Sequence, residues 1–173
     1  MKTAKGPERQ SGRQRRMDMK SILAQSGLFE DVPRQTFSFI VENCELIDCE
    51  DGEIVFVEDD TEPRGMYIVV SGEVIITTEV EAGKEQHAPG QRNYFLTRLG
   101  PQDSFGEMSL IDGGPRSATA TAQGPTSLCF IADDVVRKTV DRDPRAAYCI
   151  MRNVGAIVCR RLRESDFAVK HLL

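Results

Sequence analysis

Residues Phe105-Gly106-Glu107-Met108-Ser109-Leu110-Ile111-Asp112-Gly113-Gly114-Pro115-Arg116-Ser117-Ala118-Thr119 combine the residue types that hold an anion. Phe105 closes a short apolar run, Gly106 permits a tight turn, and residues 107–111 have the length of a single helical turn. The first amides of such a turn have no partner inside the helix and suit a negative charge. Gly113-Gly114-Pro115 ends the turn and returns Arg116 beside it, adding a fork of donors that matches phosphate. Glu107 would repel a phosphate directly, so it belongs one group away, accepting from a hydroxyl. A phosphate with a hydroxyl next to it describes a nucleotide ribose. Each residue also has a plain reading by itself: an arginine suits a surface turn, and a glutamate at a helix start answers the helix dipole. Only the combination points to a ligand.

Other chemistry is thin. The histidines are His87, in a polar loop, and His171, at the C-terminal end, so no Ser-His-Asp or Cys-His set can be assembled. Cys44, Cys49, Cys129, Cys149 and Cys159 include no CxxC and no nearby histidine, which excludes a zinc site and leaves them as small hydrophobes. A Cys44–Cys49 redox pair is the alternative. No catalytic residue, metal ligand or cofactor is expected, and the protein is read as a non-enzyme.

The chain has 173 residues, 40% hydrophobic and 28% charged, which suits one soluble domain with appendages. No stretch approaches the ~20 apolar residues of a membrane span, and no apolar leader opens the chain, so a cytoplasmic location is expected. The net charge of −5 is uneven. Residues 1–20 hold seven bases and two acids, a net +5, which leaves 15 bases and 25 acids, a net −10, in the rest. The acidic body would be repelled by nucleic acid. The tail, residues 1–17, reads as disordered; it is either a solvated leader or a polybasic arm for nucleic acid, an anionic membrane or an acidic partner.

The elements that must position the site follow from periodicity. Ile22, Leu23, Leu28, Phe29, Phe37, Ile40 and Val41 fall at helical intervals, so residues 18–43 are expected to form short helices broken near Gly27 and Pro33. Over residues 44–131 the period shortens. Runs at 54–57, 66–70, 74–78, 94–96, 118–122 and 128–131 alternate with turn pairs such as Ser71-Gly72 and Gly124-Pro125, which predicts short antiparallel strands. Residues 81–92 read as an exposed hairpin excursion. Residues 132–173 return to helix: Asp133-Asp134 opens one, and Asp143-Pro144 opens a longer one carrying a stripe of Ala147, Ile150, Met151, Val154, Ile157, Val158 and Leu162.

The segment resembles the phosphate-binding cassette of the cyclic nucleotide-binding domain family, whose pattern runs Phe-Gly-Glu, a few apolar or small residues, then Pro-Arg-Ala/Ser/Thr-Ala-Thr. The resemblance covers about residues 18–165, with Gly27-Leu28-Phe29 similar to the family's N-terminal helical motif. Asp51-Gly52-Glu53-Ile54-Val55-Phe56 and Met66-Tyr67-Ile68-Val69-Val70-Ser71-Gly72-Glu73-Val74 are similar to its first hairpins, and Arg160-Arg161-Leu162-Arg163 to the end of its last helix. Three positions depart from the pattern: Asp59 stands where many members have Gly, and Gln102 and Ser104 replace a Gly and an aromatic.

That resemblance implies a mainly β domain over residues 18–173, an antiparallel β-roll (a double-stranded β-helix or jelly roll) with N-terminal helices and C-terminal lid and dimerisation helices. The implied function is reversible binding of a 3′,5′-cyclic mononucleotide, cyclic AMP before cyclic GMP, in a sensor signalling through its last helix. Arg116 would pair with the phosphate, Glu107 would accept the ribose 2′-OH, and Gly106, Met108 and Ser109 would offer backbone N–H groups. Ser117 would touch phosphate or purine, and one of Arg160, Arg161 and Arg163 is a candidate to reach the base. The expected partners are the nucleotide, a second copy through the last helix, and an unknown effector protein. The alternatives are a ligand-free scaffold of the same fold and a DNA-binding regulator acting through the basic tail.

Overall fold

The computed structural model describes residues 12–80 and 92–172. Helix α1 (Gly12–Leu23) buries Met19 and Leu23, one turn apart on one face. It begins inside the stretch expected to be a disordered tail, and its Arg15 forms an ion pair with Asp48. A single 3-10 turn (Gly27–Phe29) follows, capped by the Ser26 hydroxyl, which accepts from the Leu28 amide. Helix α2 (Arg34–Asn43) starts after Pro33 and stops where Cys44 turns extended.

Among the described residues, six strands form one antiparallel sheet: β1 (Glu45–Cys49), β2 (Ile54–Phe56), β3 (Gly65–Val80), β4 (Arg92–Leu99), β5 (Ser104–Phe105) and β6 (Thr119–Ala132). Its order is β1-β6-β3-β4, with β2 also on β6 and β5 also on β3. Helix α3 (Glu107–Asp112) sits between β5 and β6. Helices α4 (Asp133–Arg142) and α5 (Pro144–Leu172) close the chain. This is the expected helix-flanked β-roll.

Two differences are informative. The turn pairs Ser71-Gly72 and Gly124-Pro125 do not end strands. The β3–β6 register shifts between Val69, Ser71 and Glu73, and the two long strands continue on either side. Gly72 lies at φ +83°, and a Cβ there would stand 2.5 Å from Thr126 Oγ1. The glycine therefore bends a paired ribbon rather than reversing the chain. The expected excursion at 81–92 lies outside the described residues, apart from Arg92, which starts β4.

The sheet has a core on each face. Met66, Ile68, Cys129 and Ile131 pack with Met19, Leu23, Leu28, Ile40, Val135, Ile150 and Val154 from the helices. Tyr67, Val69, Phe56, Phe105 and Leu128 fill the roll. Asn153 on α5 donates to the carbonyls of Leu28 and Glu30 at 2.9 and 2.7 Å, fixing the 3-10 turn to that helix. Cys44, Cys49, Cys129 and Cys149 are buried and unbridged, and Cys159 is exposed.

The long helix corrects the expected dimer stripe. Val154 is 0% exposed and lies in its own domain's core, with Val158 packed against that core. Tyr148, Met151 and Leu162 lie exposed, with Tyr148 at 67% and Leu162 at 60%. The helical period revealed an apolar stripe, but one small domain with flanking helices buries Ile150 and Val154 fully and leaves Ile157 and Val158 half-buried. Among the described residues, no helix is long and apolar enough to cross a membrane.

Candidate functional site

Strand β5 delivers the chain to Gly106 in the left-handed region at φ +74°. Only glycine fits here for two reasons: the backbone conformation, and a Cβ that would lie 2.5 Å from Arg116 Nη1. Helix α3 then buries Glu107 and Ser109 and leaves Met108 exposed. It ends at Gly113, also left-handed, whose amide donates to the Ser109 carbonyl. The chain returns to Arg116, whose backbone is clamped to the β2–β3 connection. The Arg116 amide donates to the Asp60 carbonyl at 2.8 Å, and the Asp59 amide donates to the Arg116 carbonyl at 2.9 Å.

The Arg116 side chain is 3% exposed. Its Nη1 donates to the carbonyls of Gly65 and Gly106 at 2.9 and 2.8 Å and to Ser109 Oγ at 2.8 Å. Its Nη2 donates to the Pro63 carbonyl at 2.6 Å. The guanidinium lies 4.3 Å from the centroid of the Phe56 ring and 5.7 Å from that of Tyr67, within cation–π range. Among the described residues no carboxylate pairs with it, and Nε has no hydrogen-bond partner. Burial pulls its pKa below the usual arginine range; Tyr67, Asp60, Glu107 and Glu62 oppose that from a distance. A buried cation held only by neutral groups favours an anion at its open side.

Glu107 is 3% exposed. Its Oε1 accepts from Arg161 Nη1 of α5 at 2.7 Å, and Arg161 Nη2 also donates to the Ser104 carbonyl. Glu107 Oε2 and Ser104 Oγ are buried with no partner among the described residues. An unfilled carboxylate oxygen in the same segment as a buried arginine fits a ligand that offers a hydroxyl near a phosphate.

The two short runs Gly106, Glu107, Met108, Ser109 and Arg116, Ser117 thus converge, in unequal ways. Gly106 contributes its carbonyl to Arg116, and Ser109 contributes its hydroxyl to the same guanidinium. Ser117 is exposed, and its hydroxyl donates to Met108 Sδ at 3.4 Å. Of the three C-terminal arginines, Arg161 turns inward onto Glu107, while Arg160 and Arg163 are exposed. Sequence reading did not identify this partner. The available signal was spacing: Arg161 continues the Ile150, Val154, Ile157 series at steps of three and four, which places it on the inward face. It also missed Phe56 and Tyr67 as the aromatic bed of Arg116. Asp59 and Gln102, the departures from glycine, both adopt left-handed backbone at φ +68° and +79°.

Comparisons with known proteins place the chain in one family. The chain is 30% identical over 148 residues to the CRP-like cAMP-activated global transcriptional regulator of Mycobacterium tuberculosis, covering 86% of this chain and 60% of that protein. It is 35% identical over 115 residues to the cyclic AMP receptor protein of Thermus thermophilus, covering 66% and 47%. The crystal structure of Thermus thermophilus catabolite activator protein superposes with a TM-score of 0.69 at 28% identity, covering 85% of this chain and 63% of that one. The chain therefore spans about half to three-fifths of the length of these curated relatives. The cyclic nucleotide-binding domain model matches residues 46–143, over half of the chain, and the protein belongs to that family.

Proposed function

We propose that the protein binds a 3′,5′-cyclic mononucleotide, preferentially cyclic AMP, as a cytoplasmic regulatory sensor with no catalytic step of its own. The observation that carries this is the buried Arg116 without a carboxylate partner, together with a buried Glu107 oxygen that lacks a hydrogen bond. Arg116 Nε would meet the cyclic phosphate, and Glu107 Oε2 would accept the ribose 2′-OH. The output would run through α5, because Arg161 joins Glu107 directly to that helix. A ligand that engages Glu107 alters the contact holding α5, and this biases the helix position. The outward face of α5, with Tyr148, Met151 and Leu162, is the proposed contact with a second copy.

Ligand choice rests on Ser117. Its side chain lacks the methyl that fixes a threonine rotamer, so its hydroxyl is free to turn toward the phosphate instead of bonding a guanine amino group. Cyclic AMP is expected to bind roughly twofold to tenfold tighter than cyclic GMP, the worth of one side-chain hydrogen bond. Competition of both nucleotides against one fluorescent analogue measures this, and tighter binding of cyclic GMP would refute it.

The second reading is a ligand-free scaffold for protein contacts. It is supported by the internal engagement of both charges, Arg116 by backbone carbonyls and Glu107 by Arg161. Thermal unfolding with and without cyclic AMP separates the two. Ligand at 100 times its dissociation constant adds ~2.7 kcal/mol of stability, and no shift at millimolar nucleotide would favour the scaffold.

A further inference from the structure

An open cleft of about 520 Å³ lies between α1, the 3-10 turn and α2, and it shares no residue with the nucleotide site. Its apolar lining includes Phe29, Val32 and Phe37. Phe29 and Phe37 meet edge to face with centroids 5.0 Å apart, giving it a firm wall. Met17 and Lys20 reach it from one side of α1, three residues apart, and Arg34 reaches it from the first residue of α2.

Lys20 and Arg34 are the charged residues lining this cleft, and both are cations. Elsewhere six arginines and a lysine form ion pairs: Arg15 with Asp48, Arg64 with Glu62, Arg98 with Glu73, Arg137 with Asp133, Arg152 with Asp31, Arg161 with Glu107 and Lys138 with Asp134. Lys20 and Arg34 form none among the described residues, although the chain carries 27 acids against 22 bases. Two exposed cations without acidic partners flank an apolar cavity in an otherwise acidic body. The cavity volume falls within the ~300–1,000 Å³ range of small-molecule sites.

We propose that this cleft binds a small amphiphilic anion, an apolar chain or ring carrying one carboxylate. The apolar part fills the space against Phe29, Val32 and Phe37, and the head group sits between Lys20 and Arg34. Arg34 offers a planar fork that matches a carboxylate, and Lys20 adds a mobile point charge. Charge complementarity selects the anion over a neutral apolar molecule of equal length. The apolar lining of the cleft selects an amphiphile over a bare inorganic anion.

Calorimetric titration of the full chain at low salt with octanoate, octan-1-ol and octyltrimethylammonium tests the proposal, with amide NMR shifts locating the site. Octanoate is expected to bind saturably at one site, with shifts confined to residues 17–37, and roughly tenfold tighter than octanol. Lys20→Gln with Arg34→Gln removes two exposed charges and should erase that advantage while leaving octanol binding intact. Equal affinity for octanol and octanoate, tighter binding of the cation, or an unchanged octanoate affinity in the double variant would overturn the proposal. So would concentration-dependent self-association that the double variant abolishes while wild type ignores octanoate, since the cleft would then be a protein interface.

Discussion

Side chains alternate along β3 between two cores of opposite character. Met66 and Ile68 join the helical core, where most neighbours are aliphatic and the helices are regular. Tyr67 and Val69 join the interior of the roll, where Tyr67 stacks on Phe105, Phe56 lies tilted against both, and a buried arginine lies over Phe56 and near Tyr67. The connections around the roll are irregular: Gly106 and Gly113 flank α3 in left-handed conformation, and Asp59 and Gln102 share that region without being glycine. The helical core is specified by apolar periodicity and tolerates no charge. The roll is specified by close approaches of backbone to one side chain and is organised around a charge. Helix α5 serves both, burying Val154 in the first and sending Arg161 to the second.

Substituting a charge into each part of α5 should give the largest contrast. Val154→Glu buries an unpaired carboxylate in the helical core and should cost about 4 kcal/mol, read by urea unfolding. Leu162→Glu on the outward face should leave domain stability within ~0.5 kcal/mol yet shift sedimentation from dimer to monomer. A stable Val154→Glu protein would mean that this face is not core.

The converse experiment empties the charged core. Arg116→Ala should weaken cyclic AMP binding by ~2–5 kcal/mol, roughly 30-fold to several-thousand-fold. The orphaned carbonyls of Gly65, Gly106 and Pro63 should also lower stability by ~1–3 kcal/mol. Affinity within threefold of wild type would remove Arg116 from the site.

Arg161→Gln addresses the link between the two regions. Losing the cation from the buried Glu107 should cost ~1–3 kcal/mol of stability. Hydrogen exchange provides the sharper readout: cyclic AMP should still bind but no longer change the protection of α5 amides. Unaltered ligand-dependent protection would show that the cores communicate by another route.

Two smaller effects refine the contrast in backbone regularity. Gln102→Gly relieves a left-handed residue while keeping its backbone bonds to Val69 and Ser26, so stability should rise by up to ~1 kcal/mol. A fall would mean that the Gln102–Gln25 side-chain contact outweighs the strain. On the helical side, the Ala146 amide first and the Thr36 hydroxyl second hold the Asp143 carboxyl below its ordinary range. Its contribution is present above the ordinary carboxylate value and is lost as pH falls through the depressed folded value. Asp143→Asn should flatten that acid limb in pH-dependent unfolding, and an unchanged limb would assign it to other carboxylates.

The sequence by itself determined what depends on neighbours along the chain. Gly106, Glu107, Ser109 and Arg116 lie within eleven residues, so a turn, one short helix and a return suffice to bring them together, and their chemistry was legible. The changes of period at Cys44 and Ala132 likewise fixed the order of helix, sheet and helix. Tertiary structure decided what depends on distant partners. Arg161 meets Glu107 across 54 residues, and nothing local distinguishes it from Arg160 or Arg163 except its face. Gly72 bends instead of turning because β6 continues opposite it. Val154 faces inward and Leu162 outward because helical periodicity defines an apolar stripe, but only the surface available for packing decides which edge of it is buried.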